Sequence, residues 1–162
     1  MDESLRTDDF FQSLVEKYSD MLIRIAYTHM KSLGEAEDVV QNVFLKYLEK
    51  RPAFESEEHE KAWLIRVCTN MCRNNIKSFR FRKTTGLNEN LYGFNTEEHE
   101  VMDAVMRLPV KYRSAILLFY FEDYSITQIA MILHQKESTI GSQLYRARQL
   151  LKPMLKEDIG DD

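Results

Sequence analysis

The chain has 162 residues, 44% hydrophobic and 30% charged, with 5 Gly, 3 Pro and a formal net charge of −4. That length excludes large barrels and multidomain enzymes and leaves one domain or two small ones, with enough apolar side chain to bury a core. Few turn formers beside abundant Leu, Met, Glu, Lys and Arg predict an all-α fold with no sheet.

Phe10, Phe11, Leu14, Val15, Tyr18, Met21, Leu22, Ile25 and Ala26 recur at three- and four-residue steps. They predict an amphipathic first helix over about 8–31, ended by Ser32 to Gly34. Ala36, Val39, Val40, Val43, Phe44, Tyr47 and Leu48 repeat the pattern up to Arg51-Pro52, where proline forbids continuation. A third helix is expected over about 57–82. The segment TTGLNENLYGFNTEE then breaks the periodicity with Gly86 and Gly93 and marks a domain boundary. Beyond it the pattern predicts helices near 97–107, from Pro109 to Tyr120, from Ser125 to Leu133 and from about Ser138 to Lys156.

No apolar run approaches the roughly 18 residues of a membrane span, and the start lacks the basic and apolar parts of a secretory signal, so a cytoplasmic location without a membrane span is expected. Cys68 and Cys72 stand four apart inside a helical pattern and read as buried thiols. The four histidines are scattered singly, which argues against a metal site. No Gly-rich phosphate loop or nucleophile with an evident base is present, so neither an enzyme nor a cofactor is expected.

The charge is segregated. From Lys61 to Lys83 there are seven cations, Lys61, Arg66, Arg73, Lys77, Arg80, Arg82 and Lys83, and no acid. Leu108 to Lys156 holds seven cations against three acids. Between the two blocks Glu89, Glu97, Glu98, Glu100 and Asp103 face Arg107 alone. Two basic blocks therefore flank an acidic connector.

At about 100° per residue, Trp63, Asn70, Arg73, Lys77 and Arg80 fall within roughly 60° of Arg66 on the third helix. Leu64, Val67, Cys68, Met71, Cys72, Ile76 and Phe79 fall on the opposite half. One face is built to fold and the other is basic and partly aromatic. A basic stripe by itself is commonly a solvated face. Here the absence of interleaved acids forgoes the usual i,i+4 support and leaves a repulsion that a phosphate backbone would relieve. Trp63, Phe79 and Phe81 are candidates for stacking on unpaired bases, with Phe79 better placed as core.

Further on, Ser125 and Gln128 form a capping-box pattern ahead of a short apolar helix, and His134 to Glu137 makes a tight turn. Ser138 is the expected N-cap of the last helix, in which Ile140, Leu144, Ala147, Leu151 and Met154 share one stripe. The pair reads as a helix-turn-helix whose last helix would present Ser138, Thr139, Ser142 and Gln143 to bases while Arg146 and Arg148 hold phosphates. An ordinary helical hairpin is the alternative for this segment.

These blocks resemble, in order and over nearly the whole chain, the extracytoplasmic-function sigma factors, the sigma-70 proteins that carry only regions two and four. GEAEDVVQNVFLKYLEK (34–50) is similar to the region two helix that docks core RNA polymerase, with Asp38, Gln41 and Phe44 at motif positions. KAWLIRVCTNMCRNNIKSFRFRK (61–83) resembles the part that melts and holds the −10 element, which implies that role for Trp63, Arg66, Asn70, Arg73, Lys77 and Arg80. LPVKYRSAILLFYFEDYSITQIAMIL followed by TIGSQLYRAR resembles region four, which reads the −35 element. The resemblance implies region two over 1–83, a flexible acidic linker over 84–96 and region four over 97–162. Its implied partners are core RNA polymerase through its clamp helices and flap, promoter DNA and an anti-sigma factor. Asn74, Gln135, Gly141 and Gln143 depart from the family pattern, the last two standing where Lys or Arg usually flanks the recognition serine. Two other readings remain open: a two-domain helix-turn-helix regulator, and a polymerase-docking protein with weakened DNA reading.

Overall fold

A computed structural model describes residues 3–79 and 96–159, with side chains from Asp8 to Asn74 and from Glu98 to Leu155. All elements among them are helical: α1 (Glu3–Met30), α2 (Leu33–Lys50), α3 (Glu57–Phe79), α4 (Thr96–Val105), α5 (Val110–Ile116), α6 (Ile126–Leu133) and α7 (Glu137–Ile159). The expected connector over 84–96 falls almost wholly outside the described residues.

Helices α1, α2 and α3 pack together, and α4 to α7 form a second cluster. The ends follow local chemistry. Lys31 takes a left-handed φ of 58° and closes α1, leaving Ser32 to cap α2 by accepting from the Glu35 amide at 3.4 Å. Arg51, with φ 46°, closes α2 one residue before Pro52. Glu57, Glu58 and Glu60 sit in the first turn of α3, where the helix dipole favours acids. Glu60 also ties the cluster together. Its two carboxylate oxygens accept from Tyr18 at 2.8 Å and from Tyr47 at 2.6 Å, joining all three helices. Burial, and then the carboxylate itself, push both phenols well above their ordinary range.

Two expectations change in the second cluster. The helix foreseen from Pro109 to Tyr120 is α5 followed by a π-helical turn, Leu117–Phe121. The wider turn keeps Leu117 and Leu118 buried while Tyr120 is exposed. Helix α7 begins at Glu137, so Ser138 lies inside the first turn rather than capping it. The capping box of Ser125 and Gln128 is present in both directions, at 2.9 and 3.1 Å. Cys68 and Cys72 are free and buried, and a hydrogen bond with Cys72, and then burial, push the Cys68 thiol well above its ordinary range.

The clusters meet where α5 packs on α1 and α6 on α3. Arg113, only 3% exposed, donates from Nε to the Leu108 carbonyl and from Nη1 to the Thr28 carbonyl, both at 2.8 Å. It thus supplies a donor to the last turn of α1 from the other cluster. His29 Nε2 and the Ser114 hydroxyl are hydrogen-bonded at 2.7 Å. Glu122 lies between Arg24 and Lys61, 3.3 Å from each.

His29 sets a pH window for this joint. Burial, reinforced by the charges of Arg73 and Arg113, lowers its pKa from 6.5 to about 4. A depressed histidine pKa means that the folded state refuses a proton which the unfolded chain accepts, so the contribution is complete above pH 6.5 and fades as pH falls toward 4. The difference corresponds to roughly 3 kcal/mol. Urea unfolding of the wild type and His29→Gln checks it: the wild type should lose stability relative to the variant between pH 6.5 and pH 4.5, and parallel pH profiles would contradict the assignment.

Candidate nucleic-acid interface

The stripe expected on α3 is only partly free. Asn70 and Arg73 are exposed, whereas Trp63 and Arg66 are partly buried. Trp63 meets the edges of Tyr47 at 5.7 Å and Phe54 at 5.9 Å, which fixes the indole as a rim to the core. Arg66 Nε is buried with no protein hydrogen-bond partner among the described residues. The side chains of Lys77, Phe79, Arg80 and Phe81 lie outside the described residues.

On the folding face Leu64, Val67, Cys68 and Cys72 are buried as expected, and so are Ile65 and Thr69 outside that arc. Helix α3 touches α6 as well as α1 and α2, so it is covered over a wider angle than one amphipathic face requires. Thr69, 1% exposed, stands at the margin of the cationic stripe.

The helix-turn-helix forms as the sequence predicts: α6, a turn opened by His134 at φ 55°, then α7. Ile140, Leu144, Ala147 and Leu151 face inward and Met154 is partly buried, while Ser138, Thr139, Ser142, Tyr145, Arg146 and Gln149 are exposed. Ser138, Thr139, Ser142, Gln143 and Arg146 line one open polar concavity of about 490 Å³. Two residues that the sequence pattern does not single out complete it, Lys111 and Tyr112 from the start of α5. Their signal is present in the basic count of the second block, yet nothing local ties Lys111 to a helix almost thirty residues later. It supplies a cation beside the start of α7, where Gly141 and Gln143 carry no charge.

Arg148 is placed elsewhere. Its guanidinium stacks over Phe119 at 5.2 Å and Tyr120 at 5.7 Å, and Nε donates to the Tyr120 hydroxyl at 2.7 Å. With Tyr120 it borders a separate apolar groove of about 320 Å³ between α4, α5 and α7. Arg146 and Arg148, two residues apart, thus serve different faces of α7.

In the first cluster an apolar groove of about 430 Å³ runs between α1 and α2, lined among others by Phe11, Ile23, Gln41, Phe44 and Leu45. Gln41 is exposed, and Phe44 is 3% exposed and packs edge-on against Phe11 at 6.2 Å. Asp38 is exposed but does not line this groove. Among the described residues no cluster of His, Cys, Asp or Glu could hold a metal ion, and no helix is long and apolar enough to cross a membrane.

The family model for sigma-70 region 2 matches residues 14–82, and that for sigma-70 region 4 matches residues 98–151. The chain is 25% identical to the ECF RNA polymerase sigma factor SigW of Bacillus subtilis, covering 92% of this chain and 90% of that protein. It is 27% identical to the ECF RNA polymerase sigma factor SigM of Mycobacterium tuberculosis, over 90% of this chain and 76% of that one. Among solved structures it superposes on the sigma factor RpoE of Bartonella quintana, determined in complex with the anti-sigma factor NepR, with a TM-score of 0.71 and 25% identity over 90% of this chain and 96% of that one. The chain belongs to the extracytoplasmic-function group of the sigma-70 family. The α3 stripe falls inside the region 2 match and the polar concavity inside the region 4 match.

Gly141 lies in α7 next to Ser142, though it does not itself line that concavity, and a Cβ added there meets nothing within 4 Å. Packing within the chain does not require the glycine. Gly141→Ala should therefore stabilise the folded chain by about 1 kcal/mol, the helix-propensity difference, read as a higher urea midpoint at unchanged slope. A fall in stability would mean that α7 uses the missing side chain in a way this geometry does not contain.

Proposed function

We propose that this chain directs core RNA polymerase to promoters and helps to open them, with residues 1–83 as region two, 84–96 as the linker and 97–162 as region four, acting in the cytoplasm. The observation that carries the reading is the gathering of Ser138, Thr139, Ser142, Gln143 and Arg146 with Lys111 on one open polar surface at the leading end of α7. In this reading the short polar side chains hydrogen-bond base edges in the major groove while Lys111 and Arg146 neutralise phosphates to either side. Lys111 takes over charge that Gly141 and Gln143 do not supply.

Asn70 and Arg73, with Trp63 and Arg66 at the rim, then hold the unpaired −10 strand, a role the resemblance also implies for Lys77 and Arg80, whose side chains lie outside the described residues. Unstacking a few bases costs on the order of a few kcal/mol per step, offset by capture of the strand. No covalent chemistry is asked of the protein. Asp38, Gln41 and Phe44 contribute to the polymerase-docking face, Phe44 by shaping the α1–α2 groove from below. Region four engages the polymerase flap, and an anti-sigma factor is the expected negative partner, as the Bartonella quintana relative has in NepR.

Two measurements test this. For a duplex carrying the −35 element, Lys111→Ala should lower the slope of log affinity against log salt by about one, whereas Arg148→Ala should leave it unchanged because that guanidinium is held on aromatic rings. Run-off transcription with purified core polymerase on genomic fragments should give initiation at discrete starts, abolished by Arg73→Glu with −35 duplex binding retained. Specific duplex binding that gives no discrete start and is untouched by Arg73→Glu would favour a regulator that uses the C-terminal module alone, and failure to associate with polymerase would overturn the proposal.

A further inference from the structure

The groups that line the concavity at the start of α7 are not equivalent as readers of bases. Ser138, Thr139 and Ser142 bring hydroxyls, which donate or accept as their neighbour requires and so suit any base. Lys111 and Arg146 can only donate. Among the described lining residues Gln143 alone brings an amide, with a donor and an acceptor side by side in one plane. It lies within the first two turns of α7, the part of the second helix of a helix-turn-helix that meets base edges. Thr139, four residues before it, and Arg146, three residues after it, share its face of the helix. Its side chain is partly buried whereas those two are exposed, so it has less freedom to lose when the amide is engaged. Among the described residues that amide makes no hydrogen bond within the chain.

We propose that Gln143 specifies one adenine of the −35 element. The inference rests on the reading of this α7 surface as the −35 reader and adds to it the base that is read. In the major groove adenine shows an acceptor, N7, beside a donor, the N6 amino group, and the amide matches both at once. Guanine shows two acceptors, N7 and O6, so the Gln143 carbonyl would face an acceptor and lose its partner. Cytosine offers a donor and thymine an acceptor and a methyl group, so each meets only half of the amide. A phosphate, which only accepts, would use the NH2 group and leave the carbonyl idle. Lys111 and Arg146 are the better phosphate ligands, and by holding the backbone they fix the register in which the amide meets one base pair.

The experiment uses the full chain assembled with core polymerase, on a fragment where the pair initiates. Each base pair of the upstream element is exchanged singly, and initiation is measured with wild type, Gln143→Ala and Gln143→Arg, each checked for unchanged helical circular dichroism. Wild type should depend on one A·T pair, losing about tenfold when it becomes G·C. Gln143→Ala should become indifferent at that pair and keep its preferences elsewhere. Gln143→Arg should prefer G·C there, since a guanidinium matches the two acceptors of guanine. One base profile shared by all three proteins, or a uniform fall with Gln143→Ala at every sequence, would overturn the adenine assignment while leaving promoter recognition standing. Failure of wild type to initiate on any fragment would overturn both.

Discussion

One carboxylate determines how α3 can be used. Glu60 sits in the first turn of α3 and takes hydrogen bonds from Tyr18 on α1 and Tyr47 on α2. A hydrogen bond to a charged acceptor contributes about 1.5–3 kcal/mol, and its geometry is directional where apolar packing is not. Leu64 and Cys68, one and two turns further along α3, are fully buried against the same neighbours. With one end fixed by two phenols and the middle by packing, α3 cannot roll about its axis. Asn70 and Arg73 therefore stay on the outside. The basic face is a consequence of how the other face is anchored.

Much of this was legible in the sequence, because helices announce themselves through local rules. The capping box at Ser125, the apolar stripe of α7 and the buried pair Cys68 and Cys72 depend on neighbours three to four residues away, and each stands where the periodicity puts it. The misses at the sites are mostly long-range, while the misplaced cap at Ser138 is a local shift of one residue. Ile65 and Thr69 are buried on a helix that packs against α6 as well as α1 and α2, and no pattern within α3 encodes that further partner. Lys111 joins the α7 surface through a contact between α5 and α7 that charge counting could not place. The π-helical turn at Leu117–Phe121 lies in a run of five bulky apolar residues whose periodicity is too uniform to show which side chains turn outward.

The arginines show why residue type alone underdetermines a site. Arg113 is buried, and burial pushes its pKa down, yet a guanidinium keeps its proton in a protein and here donates to two carbonyls. Arg148 is exposed but is held against the Phe119 and Tyr120 rings. Arg146 is exposed and borders the polar concavity. Counted from sequence the three are equal cations; in the fold one is a tie between helix clusters, one a cover for an aromatic pair and one a candidate phosphate ligand.

Net charge is an equally poor guide on its own. A total of −4 looks unsuited to DNA, yet charges separated by more than about 8 Å are largely screened at physiological salt. A phosphate against α3 responds chiefly to the cations within that distance of it, Arg73 being an exposed one. The excess of acid acts instead at low salt and long range, where it weakens encounter with bulk DNA. Such a chain gains little from binding DNA indiscriminately and more from being carried to it by a larger DNA-binding machine. That division of labour agrees with the proposed reading, in which a docking groove lies on α1 and α2 and two nucleic-acid surfaces lie on α3 and α7.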